Sequence, residues 1–173
     1  MIRTGFLILF FLCLLTLQIS FIHALPFPFD RIPLILLITV YFYQYLNQKY
    51  VWWWLVFYGV SLDFFSISYA GFETISYSIL AILTVVLAKQ VFTNRSFYAV
   101  SATMVICLFV LTISQLMSVF ISTLFKNQPS VEWQTIVETN GWGALLGCFV
   151  LFFLFPFVQQ ILKKFQRVFL KIR

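Results

Sequence analysis

The sequence predicts an all-helical membrane protein, a compact bundle of six transmembrane helices, and two observations carry that prediction. The chain is 62% hydrophobic and 21% aromatic, with only 9% charged residues, and a soluble domain of 173 residues cannot bury that much apolar surface. The apolar residues also form six runs, separated by polar or proline-containing breaks. A helix satisfies its own backbone hydrogen bonds in lipid, so each run is predicted to be one span.

The six predicted spans differ in length. They are residues 5–25, 33–46, 51–65, 72–92, 97–125 and 140–162. About 20 apolar residues are needed to cross the ~30 Å hydrocarbon core, so the second and third runs are short, whereas the fifth must tilt or bend. Residues 163–173 follow as a basic amphipathic tail. The whole chain, 1–173, is therefore predicted to be a single integral membrane domain.

The basic residues predict the orientation of these spans. If six spans are threaded from a cytoplasmic N-terminus, only Arg31 and Lys126 of the 11 Lys and Arg residues lie outside. This matches the enrichment of bases in cytoplasmic loops. An even number of spans then places both termini in the cytoplasm. Membrane topology also explains the net charge of +6 better than nucleic-acid binding does.

Two carboxylates flank the turn between the third and fourth runs. Glu73 falls in the first turn of its helix, where the dipole favours an anion, whereas Asp63 lies near a helix C-terminus, where the dipole opposes one. Asp63 is predicted to be the most buried charge, with Ser66 within reach as a donor. Two interpretations stay open: the pair lines a crevice for a partner or ligand, or Asp63 only pins the hairpin by accepting hydrogen bonds from loop amides.

Small residues predict two helix-packing faces. Ser114 and Ser118 recur at i, i+4 in the fifth run, and Gly143 and Gly147 form a GxxxG spacing in the sixth. Such residues allow helix backbones to approach closely, usually within a bundle and sometimes between copies.

Two sets of residues, one aromatic and one basic, are interpreted as membrane anchors. Tyrosines at 41, 43 and 45 and tryptophans at 52–54 lie at one level and are typical of a lipid interface. The tail bases are predicted to contact anionic lipids of the inner leaflet. They are Lys163, Lys164, Arg167 and Lys171.

Motifs for catalysis or metal binding are not apparent in the sequence. His23 is the single histidine, and there is no glycine-rich phosphate loop, HExxH or GxSxG. Three cysteines lack metal-ligand spacing and are interpreted as small buried hydrophobic residues. The sequence therefore predicts no cofactor, no metal site, no catalytic residues and no enzymatic activity.

The hairpin pattern resembles the MreD family, the multispan rod-shape-determining proteins of bacteria. The residues that carry the resemblance are Gly59, Asp63, Ser66, Gly71, Ser78 and Ala81. Pro33 followed by LILLITVY also resembles the proline-led second span of that family. The chain departs from the family at Tyr69-Ala70, where Pro-Leu is frequent, and at Glu73, where His, Asn or Arg is more frequent.

The resemblance implies a location in the bacterial cytoplasmic membrane. It also implies a non-enzymatic scaffold of the cell-elongation machinery, which synthesises the lateral peptidoglycan. The implied partner is an MreC-like single-span protein, through which the scaffold would act indirectly on the wall-synthesis transpeptidase and glycosyltransferase. The MreD family is similar in fold to the substrate-binding membrane subunits of energy-coupling vitamin transporters. The alternative is therefore a small-molecule binder whose pocket opens near Asp63 and Glu73. Such a binder needs polar lining on several helices, whereas the inner faces read mostly Phe, Leu and Ile, which favours the scaffold.

Overall fold

The computed structural model describes residues 2–65, 71–92, 96–126 and 133–170, and the regular structure in those ranges is helical. Six α-helices lie there: α1 (Ile2–Thr16), α2 (Leu34–Gln44), α3 (Trp53–Phe65), α4 (Phe72–Val86), α5 (Phe97–Lys126) and α6 (Trp133–Leu170). A π-helical turn (Leu17–Phe21) and a 3-10 turn (Ile22–Ala24) extend α1, and a π-helical turn (Leu87–Val91) extends α4. The prediction of an all-helical protein is confirmed for this part of the chain.

Four of the described helices are long and apolar enough to cross a membrane: Leu7–Ala24, Phe72–Val91, Phe97–Ile121 and Trp133–Phe157. The other two are shorter. The 11 residues of α2 extend about 16 Å at 1.5 Å per residue, and the 13 residues of α3 extend about 20 Å. Each predicted run therefore contains a helix, but α2 and α3 do not reach the ~30 Å thickness of the hydrocarbon core.

The largest difference from the predicted boundaries is in α6. This helix begins at Trp133 rather than at residue 140, and it continues to Leu170 through most of the predicted tail. The polar stretch around Glu138, predicted as part of a loop, therefore forms the first turns of a helix. The prediction ended the helix where apolar residues end, but polarity limits the part of a helix that lies in lipid, not the helix itself.

The centre of the bundle is occupied by α2, which contacts α1, α3, α5 and α6. Its Ile35, Leu37 and Val40 are at most 1% exposed. Around them lie fully buried side chains from neighbouring helices, such as Leu55 of α3 and Leu151 of α6. The short helix α2 therefore lies at the centre, with α1, α3, α5 and α6 around it, and α4 packs on α3 and α5.

The aromatic residues interpreted as lipid anchors lie partly in the interior. The buried ones are Tyr41, Tyr43 and Trp54, at 4%, 8% and 6% exposure. Trp54 packs against Phe10 and Phe42, with ring centroids 5.9 and 5.8 Å away. The anchoring prediction is wrong for these three residues because their rings fill the space between helices. It remains a prediction for Trp53, which is 45% exposed.

The GxxxG face of α6 packs within the chain. A Cβ on Gly147 would lie 1.9 Å from Cε of Met104, a side chain of α5. A Cβ on Gly143 would lie 3.1 Å from the carbonyl oxygen of Arg31. These glycines therefore admit α5 and the segment that precedes α2, as expected of a packing face.

Candidate functional site

Asp63 joins the last turn of α3 to the first turn of α4. Its Oδ2 accepts a hydrogen bond from the backbone N–H of Thr74 at 2.8 Å and another from the Thr74 hydroxyl. Its Oδ1 accepts one from the backbone N–H of Glu73 at 3.2 Å. These N–H groups lack partners within their own helix, and the positive end of the α4 dipole favours a carboxylate. Asp63 is therefore an N-terminal cap supplied by a neighbouring helix, which agrees with the pinning interpretation.

Two predicted site glycines make this cap possible. Gly71 has a φ of +97°, in the left-handed region, where the chain turns into α4. Gly59 is buried where α3 crosses α4, and a Cβ there would lie 2.9 Å from Cβ of Tyr77. The close approach brings Asp63 to the start of α4. Ser66, predicted as a donor to Asp63, lies outside the described residues.

Glu73 is more deeply buried than Asp63, which corrects the prediction that Asp63 is the most buried charge. Its Oε1 lies 3.5 Å from Nε2 of Gln115, a long hydrogen bond, and Oε1 of Gln115 accepts a bond from Nδ2 of Asn140 at 2.9 Å. This chain of polar side chains connects α4, α5 and α6. The other carboxylate oxygen, Oε2, is buried and has no hydrogen-bond partner among the described residues.

A cavity of about 410 Å³ lies at this end of the bundle, and we call it the Glu73 cavity. Its polar lining comes from six parts of the chain: Gln18, Arg31, Tyr58, Glu73, Gln115 and Asn140. Apolar side chains of α2, α3 and α5 complete it, among them Leu36, Leu62 and Leu111. Its volume falls in the range of about 300–1,000 Å³ that is typical of small-molecule sites.

Gln18 organises one wall of the cavity. Its Nε2 donates to the carbonyl of Ile32 at 3.1 Å, and its Oε1 accepts from the N–H of Leu34, the first residue of α2, at 2.9 Å. Gln18 is 3% exposed. Sequence reasoning passed over it, although a lone amide in an apolar run was a usable signal, because a buried polar group requires partners.

A charged pair lies beside Gln18. Nε of Arg31 lies 3.0 Å from Oδ2 of Asp30, as an ion pair without hydrogen-bond alignment. Oδ1 of Asp30 has no hydrogen-bond partner in the described part of the chain. Both side chains line the Glu73 cavity, together with the exposed His23. The sequence analysis placed none of these three residues in the site.

A second cavity, of about 260 Å³, adjoins the first and shares Glu73, Gln115 and Thr139 with it. Ser118 of the predicted packing stripe lines this cavity. Its hydroxyl donates to the carbonyl of Gln115 at 2.7 Å, and the hydroxyl of Ser114 donates to that of Leu111 at 3.1 Å. Both serines therefore satisfy their hydroxyls within α5.

The remaining predicted site residues belong to the basic tail. Lys163, Lys164 and Arg167 are part of α6, but their side chains are not described. Lys171 lies outside the described residues. Elsewhere, no three His, Cys, Asp or Glu side chains within the described ranges are grouped so that they could hold a metal ion.

The fold and the site together define an all-helical protein with four helices suited to spanning a membrane and, at one end of the bundle, a mostly apolar cavity with several polar side chains in its lining. Comparisons with known protein families, with curated proteins and with solved structures find no match. The MreD resemblance therefore rests on the sequence pattern, and what it implies is taken up as a proposal.

Proposed function

We propose that this chain is a non-enzymatic membrane scaffold of the bacterial cell-elongation machinery that binds an MreC-like partner. In this proposal the bundle has six spans, with α2 and α3 as shortened ones, and both termini lie in the cytoplasm. The observation that supports it is the α3–α4 hairpin, where Gly59, Asp63 and Gly71 of the MreD-like pattern each have a distinct structural task. A scaffold requires such a rigid element to present a surface to its partner.

The surface of this hairpin suits a single-span partner. Exposed apolar side chains continue along both of its helices, and they include Phe57, Phe64, Ile75, Ile79 and Ile82. Van der Waals packing drives helix association in lipid, so a ridged apolar face is enough to seat a transmembrane helix. The Asp63 cap fixes the two helices relative to each other, so the face has one shape.

The test is affinity purification of the tagged chain from its host in mild detergent. We expect a single-span protein with a large extracytoplasmic domain to co-purify, together with wall-synthesis enzymes in smaller amount. Asp63→Leu, which removes the cap, should reduce that capture, whereas Glu138→Gln should not, because Glu138 is an exposed residue of α6. Capture of an ATPase-containing transport complex instead would contradict the scaffold function.

A specific observation favours the second candidate, a substrate-binding subunit of a small-molecule transporter. The sequence predicts mostly apolar inner faces, yet polar side chains from six parts of the chain line the cavity. Native mass spectrometry of the protein purified from its host tests this candidate. A small molecule that stays bound to the parent and is lost from Glu73→Gln would support it.

A further inference from the structure

We infer that the Glu73 cavity is a binding site for a cationic nitrogen group, an ammonium or a guanidinium, and that Glu73 pairs with it. The inference goes beyond the scaffold function and does not require it. It follows from the hydrogen bonding of Glu73, the aromatic pair beside it and the balance of charge in the lining.

The carboxylate of Glu73 is held in place but is not satisfied. Its backbone N–H is bonded to Asp63, and its Oε1 is within 3.5 Å of Gln115. Its Oε2 is buried without a hydrogen-bond partner among the described residues, and Glu73 lines both cavities. A buried carboxylate oxygen needs a donor, and a cationic donor supplies both the hydrogen bond and the opposite charge.

An aromatic pair lies next to this carboxylate. Tyr58 of α3 and Tyr77 of α4 both line the Glu73 cavity, with ring centroids 5.0 Å apart and ring planes at 80°. Both side chains are buried. Because the face of an aromatic ring attracts a cation, rings beside a carboxylate favour a charged nitrogen over a neutral group of the same size.

The charge in and around the lining favours a cation over an anion. Arg31 is paired with Asp30, so its charge is compensated within the wall. Oδ1 of Asp30 is itself without a hydrogen-bond partner in the described part of the chain. Asp63 adds a further negative charge that acts on Glu73. After this pairing, the carboxylates of Glu73 and Asp63 remain near the cavity, together with the exposed imidazole of His23.

The apolar lining of the cavity favours a ligand whose nitrogen group is attached to an aliphatic chain. Leu36, Leu108 and Leu111 are among the apolar side chains that line it. A volume of about 410 Å³ admits a small amine with an aliphatic body. It equally admits the end of a Lys or Arg side chain from a partner protein. The two sources share one chemistry, and the experiment separates them.

The first experiment titrates the full chain, in nanodiscs of phosphatidylcholine, with butylguanidinium, butylammonium and neutral butanol by calorimetry. We expect saturable binding of the two cations and binding of butanol that is weaker by about tenfold or more. Glu73→Gln should weaken cation binding by about tenfold or more, because it removes one partner of a charge pair. Glu138→Gln is the matched control, since it removes the same charge from an exposed position outside the cavity, and should leave binding unchanged.

The second experiment repeats the partner capture with the same two variants, and this arm rests on the proposed function. A side chain of the partner is the source of the cationic group if two results occur together. Glu73→Gln, but not Glu138→Gln, must abolish capture of the partner, and the free cations must not bind. The inference is overturned if the parent binds the cations and butanol equally and if Glu73→Gln captures the partner as well as the parent does. If the parent captures no such partner, the scaffold function fails, and the titration alone decides whether the cavity binds cations. The comparison of probes on the parent needs no variant, so a variant that fails to fold leaves the test intact.

Discussion

At the scale of single residues, Asp63 and Glu73 are neighbours with different hydrogen bonding. Asp63 accepts three hydrogen bonds from two residues of α4, and Glu73 keeps one oxygen without a described partner. The pinning role of Asp63 was one of the two interpretations that the sequence left open, because a carboxylate near a turn can accept bonds from free amides. The sequence did not predict Thr74 as the main donor or Glu73 as the less satisfied group. Both depend on which residues of α4 and α5 face each other, and that is set by tertiary packing.

The first prediction concerns the Asp63 cap. Asp63→Asn retains one acceptor oxygen and should lower the melting temperature in detergent slightly. Asp63→Leu should lower it much further, because the donors at the start of α4 lose their acceptor at a cost of about 1–3 kcal/mol for each buried unsatisfied group. Equal melting temperatures for Asn, Leu and the parent would show that the cap does not stabilise the hairpin.

The second prediction concerns Gly59 and uses Gly141 as its control. A Cβ on Gly59 would lie 2.9 Å from Cβ of Tyr77 and 3.0 Å from the carbonyl oxygen of Glu73, and neither atom is the end of a flexible chain. Gly59→Ala should therefore cost about 1–3 kcal/mol of stability, since overpacking forces helices apart. A Cβ on Gly141 meets nothing within 4 Å, so Gly141→Ala should be neutral or slightly stabilising. The melting temperatures of both variants, measured by circular dichroism, test this prediction. A Gly59→Ala variant as stable as the parent would show that α3 and α4 do not approach as closely at Gly59 as described.

At the scale of elements, the start of α2 depends on a side chain from the extension of α1. Gln18 bonds the N–H of Leu34 and the carbonyl of Ile32, which fixes where the central helix begins. The sequence predicted the break at Pro26–Pro33 and the helix after it, because proline restricts the backbone. It could not predict the bond to Gln18, since 16 residues separate Gln18 from Leu34 and only the fold brings them together.

The third prediction follows from this bond. Gln18→Ala removes both hydrogen bonds, while the N–H of Leu34 can still donate to the carbonyl of Ile32, 3.0 Å away. We therefore expect a loss of about 0.5–1.5 kcal/mol per bond and faster amide exchange at the start of α2. Gln134→Ala, at an exposed position of α6, should change neither. Hydrogen–deuterium exchange with peptide-level mass spectrometry in detergent measures both effects. Unchanged exchange over residues 34–37 would mean that other contacts hold the start of α2.

At the scale of the whole molecule, composition was sufficient for the class of protein and insufficient for the number of spans. Hydropathy identified six apolar runs, and each contains a helix. Four of these helices have span length, whereas α2 has 11 residues and α3 has 13. The cavity could not be predicted from any single run, since each mostly apolar helix contributes only one or two polar residues to its lining. Only their convergence at one end of the bundle gives the site its polarity.

The fourth prediction is the orientation of the chain in the membrane. Single cysteines at Glu138 and at Lys49, in a background without the native cysteines, should label differently in intact cells. We expect Glu138→Cys to react with an impermeant maleimide and Lys49→Cys to react only after permeabilisation, because bases concentrate in cytoplasmic loops. Both positions are exposed, so a lack of reaction reports the membrane and not burial. The reverse pattern would invert the topology.

The shortness of α3 has a consequence for the lipid around the protein. Its 13 residues give about 20 Å of apolar length on a side of the bundle where Trp53, Phe57 and Phe64 are exposed. If α3 is a span, as in the proposed six-span arrangement, a bilayer adjoining that side must thin or tilt its chains, at a fraction of a kcal/mol per ångström of mismatch. Along α5 the apolar stretch of 25 residues requires no thinning. The protein would therefore deform the bilayer on one side only, and a neighbour that displaces lipid from α3 would gain the free energy stored in that deformation.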